Sequence, residues 1–339
     1  MIAANVFLWG TRIGAVQQED VDDIPVFNYD PDFTLSGIEL SPLEMPLSGA
    51  LYSFPTLNGE SFHGLPGMLA DSLPDKFGNA LLDSYLAQHG RDYRRLSAVE
   101  RLLYTGKRGM GALEYEPSYD RFARNDDVDI DALVGVANDV LNRREGMRET
   151  MDAKGLAHLV SVGTSAGGAR AKAVIAWNRT TNDVRSGQVA ADPGYEHWLI
   201  KFDGVEKNKD KGDSYDRPAY TRIEFAYYTM AIAAGLEMSA CELFEENGRR
   251  HFMTRRFDRT ADGGKLHMQT LGGLAHFDFN APAAHSYEQA ASVMRRLNLG
   301  QDSLEQLYLR MTFNVLARNQ DDHVKNLSFL MDRRGTWSL

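Results

Sequence analysis

The sequence predicts an α+β chain folded in two parts, and three observations lead there. At 339 residues the chain exceeds the roughly 100–200 residues of one domain, which implies two domains or one large two-lobed one. Short apolar runs joined by glycine turns, the mark of antiparallel strands, alternate with segments whose apolar residues recur at helical spacing. Between the halves, Pro117 to Asp129 is polar and charged and is the expected boundary.

Taken in order, Val6 to Val16 carries two apolar runs flanking Gly10-Thr11-Arg12, a β-hairpin with glycine supplying the turn, and Val26 to Tyr29 is another strand. Gly64 to Asp75 reads as a loop with a short helix. Lys76 to His89 places Phe77, Leu81, Leu82, Tyr85 and Leu86 at helical spacing, and Ser97 to Tyr104 is a further helix. The glycine-rich Thr105 to Ala112 lacks the Gly-Lys-Ser/Thr ending of a phosphate loop and reads as a tight structural turn. Ile130 to Met151 reads as one or two helices. Ala173 to Trp177 and Glu196 to Phe202 are strands separated by the polar, turn-rich Asn178 to Gly194. Arg222 to Leu236 is a helix. Cys241 to Phe244 and His251 to Thr254 pair across Asn247-Gly248, a strong hairpin signal. The chain is then mostly helical to Leu316. It ends with Asn326 to Met331, a turn at Asp332 to Gly335, and Thr336 to Leu339.

Charge narrows the function. With 37 Lys+Arg against 47 Asp+Glu the net charge is −10, which argues against a protein whose main task is gripping nucleic-acid phosphates. Contact with DNA is expected only indirectly, through a partner. The single cysteine, Cys241, allows no intramolecular disulfide and no cysteine-based zinc site, which fits a reducing cytosol. The start lacks the basic and apolar regions of a signal peptide, and no apolar run approaches the ~18 residues of a membrane helix. The expected location is the cytoplasm, away from membranes.

Four features of the second half fall into an informative order. Ser161 to Lys172 is rich in small residues, whose backbone N–H groups can cradle an anion, although most such turns bind nothing. Lys201 closes the apolar strand His197-Trp-Leu-Ile-Lys, either snorkelling to solvent or held as a point charge for a phosphate. Glu224 lies near a helix start, where the macrodipole alone would favour a carboxylate. Asn319 to Asn326 packs two carboxylates, a histidine, a lysine and amides between an apolar helix and an apolar strand. Desolvating so many polar groups costs free energy unless they serve one another or a ligand. Asp321 precedes Asn326 by five residues, the separation between the base aspartate and the metal-binding asparagine of a kinase catalytic loop. A metal-hydrolase reading of Asp321-Asp322-His323 leaves the glycine loop and the strand lysine unexplained.

On these residues the chain resembles the HipA family, bacterial Ser/Thr-kinase toxins of type II toxin–antitoxin modules. Phe62 to Asp75 and Gly109 to Ala112 are similar to the family's N-terminal subdomain, and Ser165 to Lys172 to its phosphate loop. His197 to Lys201 resembles the strand bearing the ATP lysine, Arg256-Phe-Asp-Arg259 a signature beside the adenine hinge, and Asp321 to Asn326 the catalytic loop. The resemblance implies a two-lobed, protein kinase-like α+β fold. Residues 1–120 would form an N-terminal α+β subdomain, 121–153 a helical connector, 154–255 the kinase-like N-lobe and 256–339 the start of a helical C-lobe. It implies ATP and Mg²⁺ as cofactors, with Asp321 as catalytic base and Asn326 on the metal. Backbone groups of Ala166, Gly167, Gly168 and Ala169 would line the phosphates, with Arg170, Lys172 and Lys201 beside them. Arg255, Arg256 and Phe257 would serve the nucleotide from the hinge, and His323, Lys325 and Asn326 from the catalytic loop. Ser165 would be the site of inhibitory autophosphorylation. Implied partners are a HipB-like helix-turn-helix antitoxin and a protein substrate such as an aminoacyl-tRNA synthetase, with growth arrest and persistence as the outcome.

One departure stands out. Kinases carry a second metal-binding aspartate after the hairpin that follows the catalytic loop. That residue is expected shortly after Leu339, and Asp332 reads as part of the hairpin's own turn. Most of the helical C-lobe is likewise absent from these residues, so the expectation is either a part of a longer protein or a metal-deficient form. Two other readings stay open on sequence alone: a non-catalytic, nucleotide-binding co-repressor acting with a DNA-binding antitoxin, and a small-molecule kinase.

Overall fold

The structure, a computed structural model, describes residues 1–119, 127–142, 153–163, 168, 170–188, 193–205 and 219–339. The N-terminal unit opens with β1 (Ile2–Leu8), β2 (Thr11–Gln18) and β3 (Val26–Tyr29), then α1 (Pro31–Thr34), β4 (Leu51–Tyr52), α2 (Gly59–Phe62) and α3 (Gly67–Ala70). It continues through α4 (Lys76–Gln88), α5 (Ala98–Thr105) and β5 (Leu113–Glu116). Its antiparallel sheet has the order β4-β3-β2-β1-β5. The β1–β2 turn falls on Trp9 (φ 50°) and Gly10 (φ 84°), one residue before the expected Gly10-Thr11-Arg12. Two successive positive φ values match the right-handed twist of the strands. Alternation sends Val6, Leu8, Phe27 and Tyr29 into one core with Leu102 and Leu103 of α5. Ser97 and Glu100 cap α5 reciprocally.

The second unit holds α6 (Ile130–Asn142), α7 (Ala153–Gly163), β6 (Lys172–Asn178), β7 (Asp183–Ser186), β8 (Glu196–Lys201), α8 (Tyr220–Ala233), β9 (Cys241–Glu246) and β10 (Arg249–Arg255). Its antiparallel sheet runs β7-β6-β8-β10-β9. One face presents Ala173, Ile175, Trp198, Ile200 and Met253 to α6 and α7. Residues one place along each strand point the other way, so Lys172, Lys201 and Phe252, which are cross-strand partners, share the opposite face. Phe77 and Leu81 of α4 lie in this second core, although they fall inside 1–120.

The last elements are β11 (His267–Thr270), α9 (Leu271–Ala275), α10 (Tyr287–Arg296), α11 (Gln301–Leu316), β12 (Ser328–Met331) and β13 (Trp337–Ser338), with β11-β12-β13 forming a third antiparallel sheet. No helix among the described residues is long and apolar enough to cross a membrane.

Two strands differ from expectation. β7 lies within the stretch read as turns, because its only apolar residue is Val184 and pairing with β6 supplies the rest of its burial. β11 lies within the stretch read as helical. Its His267 and Gln269 are fully buried, paired with each other at 2.9 Å while Gln269 also donates to the Leu40 carbonyl, so long-range partners replace apolar character. Of Ile130 to Met151, α6 ends at Asn142 and 143–151 lie outside the described residues.

A buried knot joins the N-terminal unit to the remainder. Asp258, fully buried, accepts from Arg256 Nε at 2.8 Å, Arg259 Nη1 at 2.8 Å and the Gly111 N–H at 2.7 Å. Burial alone would raise its pKa, but Arg256, then Arg259 and the Gly111 N–H, hold it well below the carboxylate range. A depressed carboxylate stabilises the fold above its unfolded pKa, and that stability is lost as pH falls through the native value. Asp258→Ala is therefore expected to lower unfolding free energy by about 3–5 kcal/mol at neutral pH, with the deficit shrinking in acid. Urea unfolding at several pH values checks this; a neutral-pH loss under about 1 kcal/mol, the scale of an exposed pair, would contradict the role.

Candidate active site

Lys201 neither trails into solvent nor sits alone. It stands between Lys172 of β6 and Phe252 of β10, and its Nζ lies 2.7 Å from Glu224 Oε2 on α8. Both side chains are largely shielded, at 28% and 20% exposure, so the attraction is less screened than at an open surface. The middle of α8 is tied to the C-terminus of α11, where the Tyr227 hydroxyl donates to the Ala317 carbonyl at 2.8 Å.

Of the glycine-rich stretch, Ser165, Ala166, Gly167 and Ala169 lie outside the described residues. Gly168 has φ 102°, and a Cβ there would come within 2.6 Å of Lys172 Nζ, so the backbone lies directly against this buried lysine. The Arg170 guanidinium lies 3.1 Å from the centroid of the Tyr220 ring, at the start of α8.

The loop between α11 and β12 is braced at nearly every residue. Asn326 donates from Nδ2 to the Asp321 carbonyl and from its backbone N–H to the His323 carbonyl at 2.8 Å. The Val324 and Leu327 carbonyls accept from the Gly272 and Leu271 N–H groups of α9 at 3.1 and 2.7 Å. The two carboxylates differ. Asp322 accepts from the Tyr287 hydroxyl, which Asn314 supports at 3.0 Å, and Tyr287 is pushed up to about 12 by burial and then by Asp322. The Asp321 side chain is 66% exposed, with the His323 ring 4.0 Å away. His323 Nδ1 accepts the Lys325 N–H at 3.3 Å, which leaves Nε2 towards Asp321. Phe279 lies beside two loop side chains, 4.4 Å from Lys325 Nζ and 6.1 Å from the His323 ring.

Two aspartates that the sequence reading assigned only to a loop complete the arrangement. Asp75, at the start of α4, accepts from the Gly168 N–H at 2.6 Å and from Lys325 Nζ at 3.0 Å. Burial pushes its pKa up, but Lys325, the Gly168 N–H and Lys172 together hold it below the usual value. One carboxylate thus gathers the glycine loop, the catalytic loop and the buried strand lysine. Asp71 accepts from the Thr270 N–H at 2.7 Å and Oγ1 at 2.8 Å. Nothing local marks Asp75, since an aspartate after proline and before an apolar helix reads as an ordinary cap, and Asp71 merely follows the last turn of α3.

The hinge residues are used unevenly. Arg256, expected beside the nucleotide, has its guanidinium 1% exposed against Asp258, because a fully buried carboxylate needs a cation at close range. Arg255 lies 4.0 Å from Glu196, and Phe257 is 45% exposed just past β10. Among the described residues, no group of three or more His, Cys, Asp or Glu could hold a metal ion.

A sheet lysine paired with a helix glutamate, a glycine loop and a braced Asp-x₄-Asn loop define a kinase-like fold. Residues 4–116 match the HipA N-terminal domain and residues 164–339 the HipA-like C-terminal domain. The chain belongs to the HipA family. Its fold is similar, over 98% of this chain and 73% of the other, to a structure of the Shewanella oneidensis HipA–HipB toxin–antitoxin complex with operator DNA, at TM-score 0.64 and 16% identity. A 128-residue stretch is 28% identical to a Sinorhizobium fredii protein named "Putative kinase Y4mE" and spans 35% of this chain and 30% of that one.

Burial lifts Asp71 to about 6 despite Lys325 and the Thr270 hydrogen bonds. A carboxyl with a raised pKa binds its proton more tightly when folded, so its contribution to stability declines as pH rises from the ordinary ~3.9 towards the native value. The unfolding free energy of wild type minus that of Asp71→Asn is expected to fall with pH across this window and then level off. Denaturant titrations from acid to neutral pH test it, and a pH-independent difference would refute it.

Proposed function

We propose that this chain is the catalytic part of an ATP-dependent Ser/Thr protein kinase acting as the toxin of a toxin–antitoxin module. The observation that carries the reading is the Lys201–Glu224 ion pair at 2.7 Å, on the sheet face shared with Lys172 and linked through Asp75 to the catalytic loop. Protein kinases use such a pair to hold a lysine at the nucleotide phosphates.

The residues fit a magnesium nucleotide. Lys172, Lys201 and Lys325 supply positive charge, and the Gly168 N–H is turned towards an anionic oxygen, Asp75 Oδ2, a chemistry that phosphate oxygens share. Bound Mg-ATP would bring the transferable phosphoryl group and the cation that offsets its charge. Lys201 would hold the phosphates, Asn326 would offer its side-chain oxygen to the metal, and Asp321 would orient a protein Ser/Thr hydroxyl and take its proton. Asp322, already engaged by Tyr287, leaves Asp321 as the carboxylate open to substrate. Inhibitory autophosphorylation at Ser165, a HipB-like antitoxin partner that contacts DNA, and an aminoacyl-tRNA synthetase substrate are part of the same proposal, all in keeping with the family resemblance. The Shewanella complex adds support for the antitoxin.

The test is transfer of labelled γ-phosphate from ATP to protein with Mg²⁺ present. Asp321→Asn should abolish transfer while ATP still binds, and Asp322→Asn should retain most of it. If Asp322→Asn is the inactive variant, the roles are exchanged. Lys201→Ala should weaken ATP binding about ten- to hundred-fold by calorimetry, the loss of one charge-assisted contact. Nucleotide binding without any transfer would favour the co-repressor reading, and transfer only to small hydroxyl compounds a small-molecule kinase.

A further inference from the structure

Asp75 has the extended backbone of a helix cap (φ −82°, ψ −172°), yet its carboxylate makes no capping bond to α4. A capping aspartate normally accepts from the second or third helical N–H and contributes about 1 kcal/mol. Here the carboxylate turns away from its own helix to partners 93 and 250 residues along the chain, Gly168 and Lys325. The Asp75 and Lys325 side chains are only 24% and 21% exposed, so the pair is largely removed from water.

The backbone around Asp75 is keyed on both sides. Upstream, Asp71 holds Thr270, and the Gly67 N–H donates to His276 Nε2 at 2.9 Å. A Cβ on Gly67 would lie 2.1 Å from the Gly273 carbonyl, so α3 and α9 touch backbone to backbone. The same α9 bonds the carbonyls of Val324 and Leu327 in the catalytic loop. Downstream, Phe77 and Leu81 press on Gly163, where a Cβ would come within 2.8 Å of Leu81 Cδ1, at the end of the helix that leads into the glycine loop. The segment from Gly67 to Leu81 is a strut between the two loops of the cleft.

We propose that Asp75 is a positioning residue, the tether by which the N-terminal unit sets Lys325 and Gly168 at their working separation. This inference rests on the kinase reading. Asp75 acts through its partners: one of the three N–H donors of Lys325 is held by the carboxylate, which fixes the ammonium and leaves two donors for an anion. The Gly168 N–H is taken by the same carboxylate, which holds Gly168 against Lys172. Removing the negative charge frees Lys325 within a loop that also carries Asp321 and Asn326, and small displacements of reacting groups lower the rate steeply.

The experiment compares the full chain as wild type, Asp75→Asn, Asp75→Glu, Lys325→Met and the Asp75→Asn/Lys325→Met double variant. One readout is phosphoryl transfer resolved into kcat and KM for ATP; the other is the rate at which an acylating reagent labels Lys325, read by peptide mass spectrometry. Asp75→Asn should lower kcat by about tenfold or more while KM for ATP changes less than about threefold. Lys325 labelling should accelerate several-fold, Asp75→Glu should recover part of both effects, and the double variant should be no slower than Lys325→Met. A structural role alone would reduce the folded fraction without separating kcat from KM or exposing Lys325 selectively. Wild-type kcat in Asp75→Asn, or additive losses in the double variant, overturns the tether. If wild type transfers no phosphate, the kinase reading falls and labelling decides: an unchanged Lys325 rate overturns the tether, and a faster one sustains it.

Discussion

A carboxylate taken out of water must be given donors, and here those donors lie across the boundary between units. Asp258 reaches back to Gly111, Asp71 forward to Thr270, and Asp75 to Gly168 and Lys325. Leaving such a charge buried and unpaired costs several kcal/mol, far more than an exposed pair contributes. Separating the N-terminal unit would strand Asp71 and Asp75 on one side and Asp258 with its two arginines on the other. Neutral contacts follow the same seam: the Trp9 indole donates to the Lys265 carbonyl at 2.7 Å, and Met331 of β12 lies in the N-terminal core. The N-terminal unit is therefore part of the scaffold of the cleft.

The cleft's other support is weaker. Among the residues of α8 only Thr221 and Ala231 are buried, while Ile223, Met230 and Ile232 are 43%, 46% and 44% exposed. A helix with so little apolar burial depends on specific contacts for its place. Glu224 ties its start to Lys201, and Tyr227 and the Gly235 carbonyl tie its later turns to α11, the latter through Gln306 at 3.4 Å. Since α11 leads directly into the catalytic loop, the position of Glu224 and that of the loop are mechanically linked. The Lys201–Glu224 pair and the loop that carries Asp321 thus share one chain of supports, while Asp75 supplies a second through Lys325.

Local pattern revealed the elements whose information is local. The β1–β2 and β9–β10 hairpins announce themselves through glycine turns, and α4 and α5 through apolar spacing and the Ser97 cap. The strand end at Lys201 and the Asp-x₄-Asn spacing from Asp321 to Asn326 are likewise written in short stretches of sequence. What could not be read depends on partners far away. His267 and Gln269 look unsuited to a buried strand until Leu40 satisfies them. Arg256 carries the same charge whether it faces a nucleotide or Asp258, and only the fold decides. Asp75 looks like a cap because its backbone is one; its function lies in where the carboxylate turns.

The catalytic loop completes the argument. Asp322 is held by Tyr287, Val324 and Leu327 by α9, Lys325 by Asp75, and Asn326 by the Asp321 and His323 carbonyls. These supports come from the N-terminal unit, from the last elements of the chain and from the loop itself. Against that background the Asp321 carboxylate projects outward, with the His323 ring 4.0 Å away. Preorganisation lowers a barrier only when the supporting groups need not move during the reaction, and here the supports are already in place around the one open carboxylate. The contacts converging on an exposed loop, and not the burial of Asp321 itself, are what set its carboxylate apart.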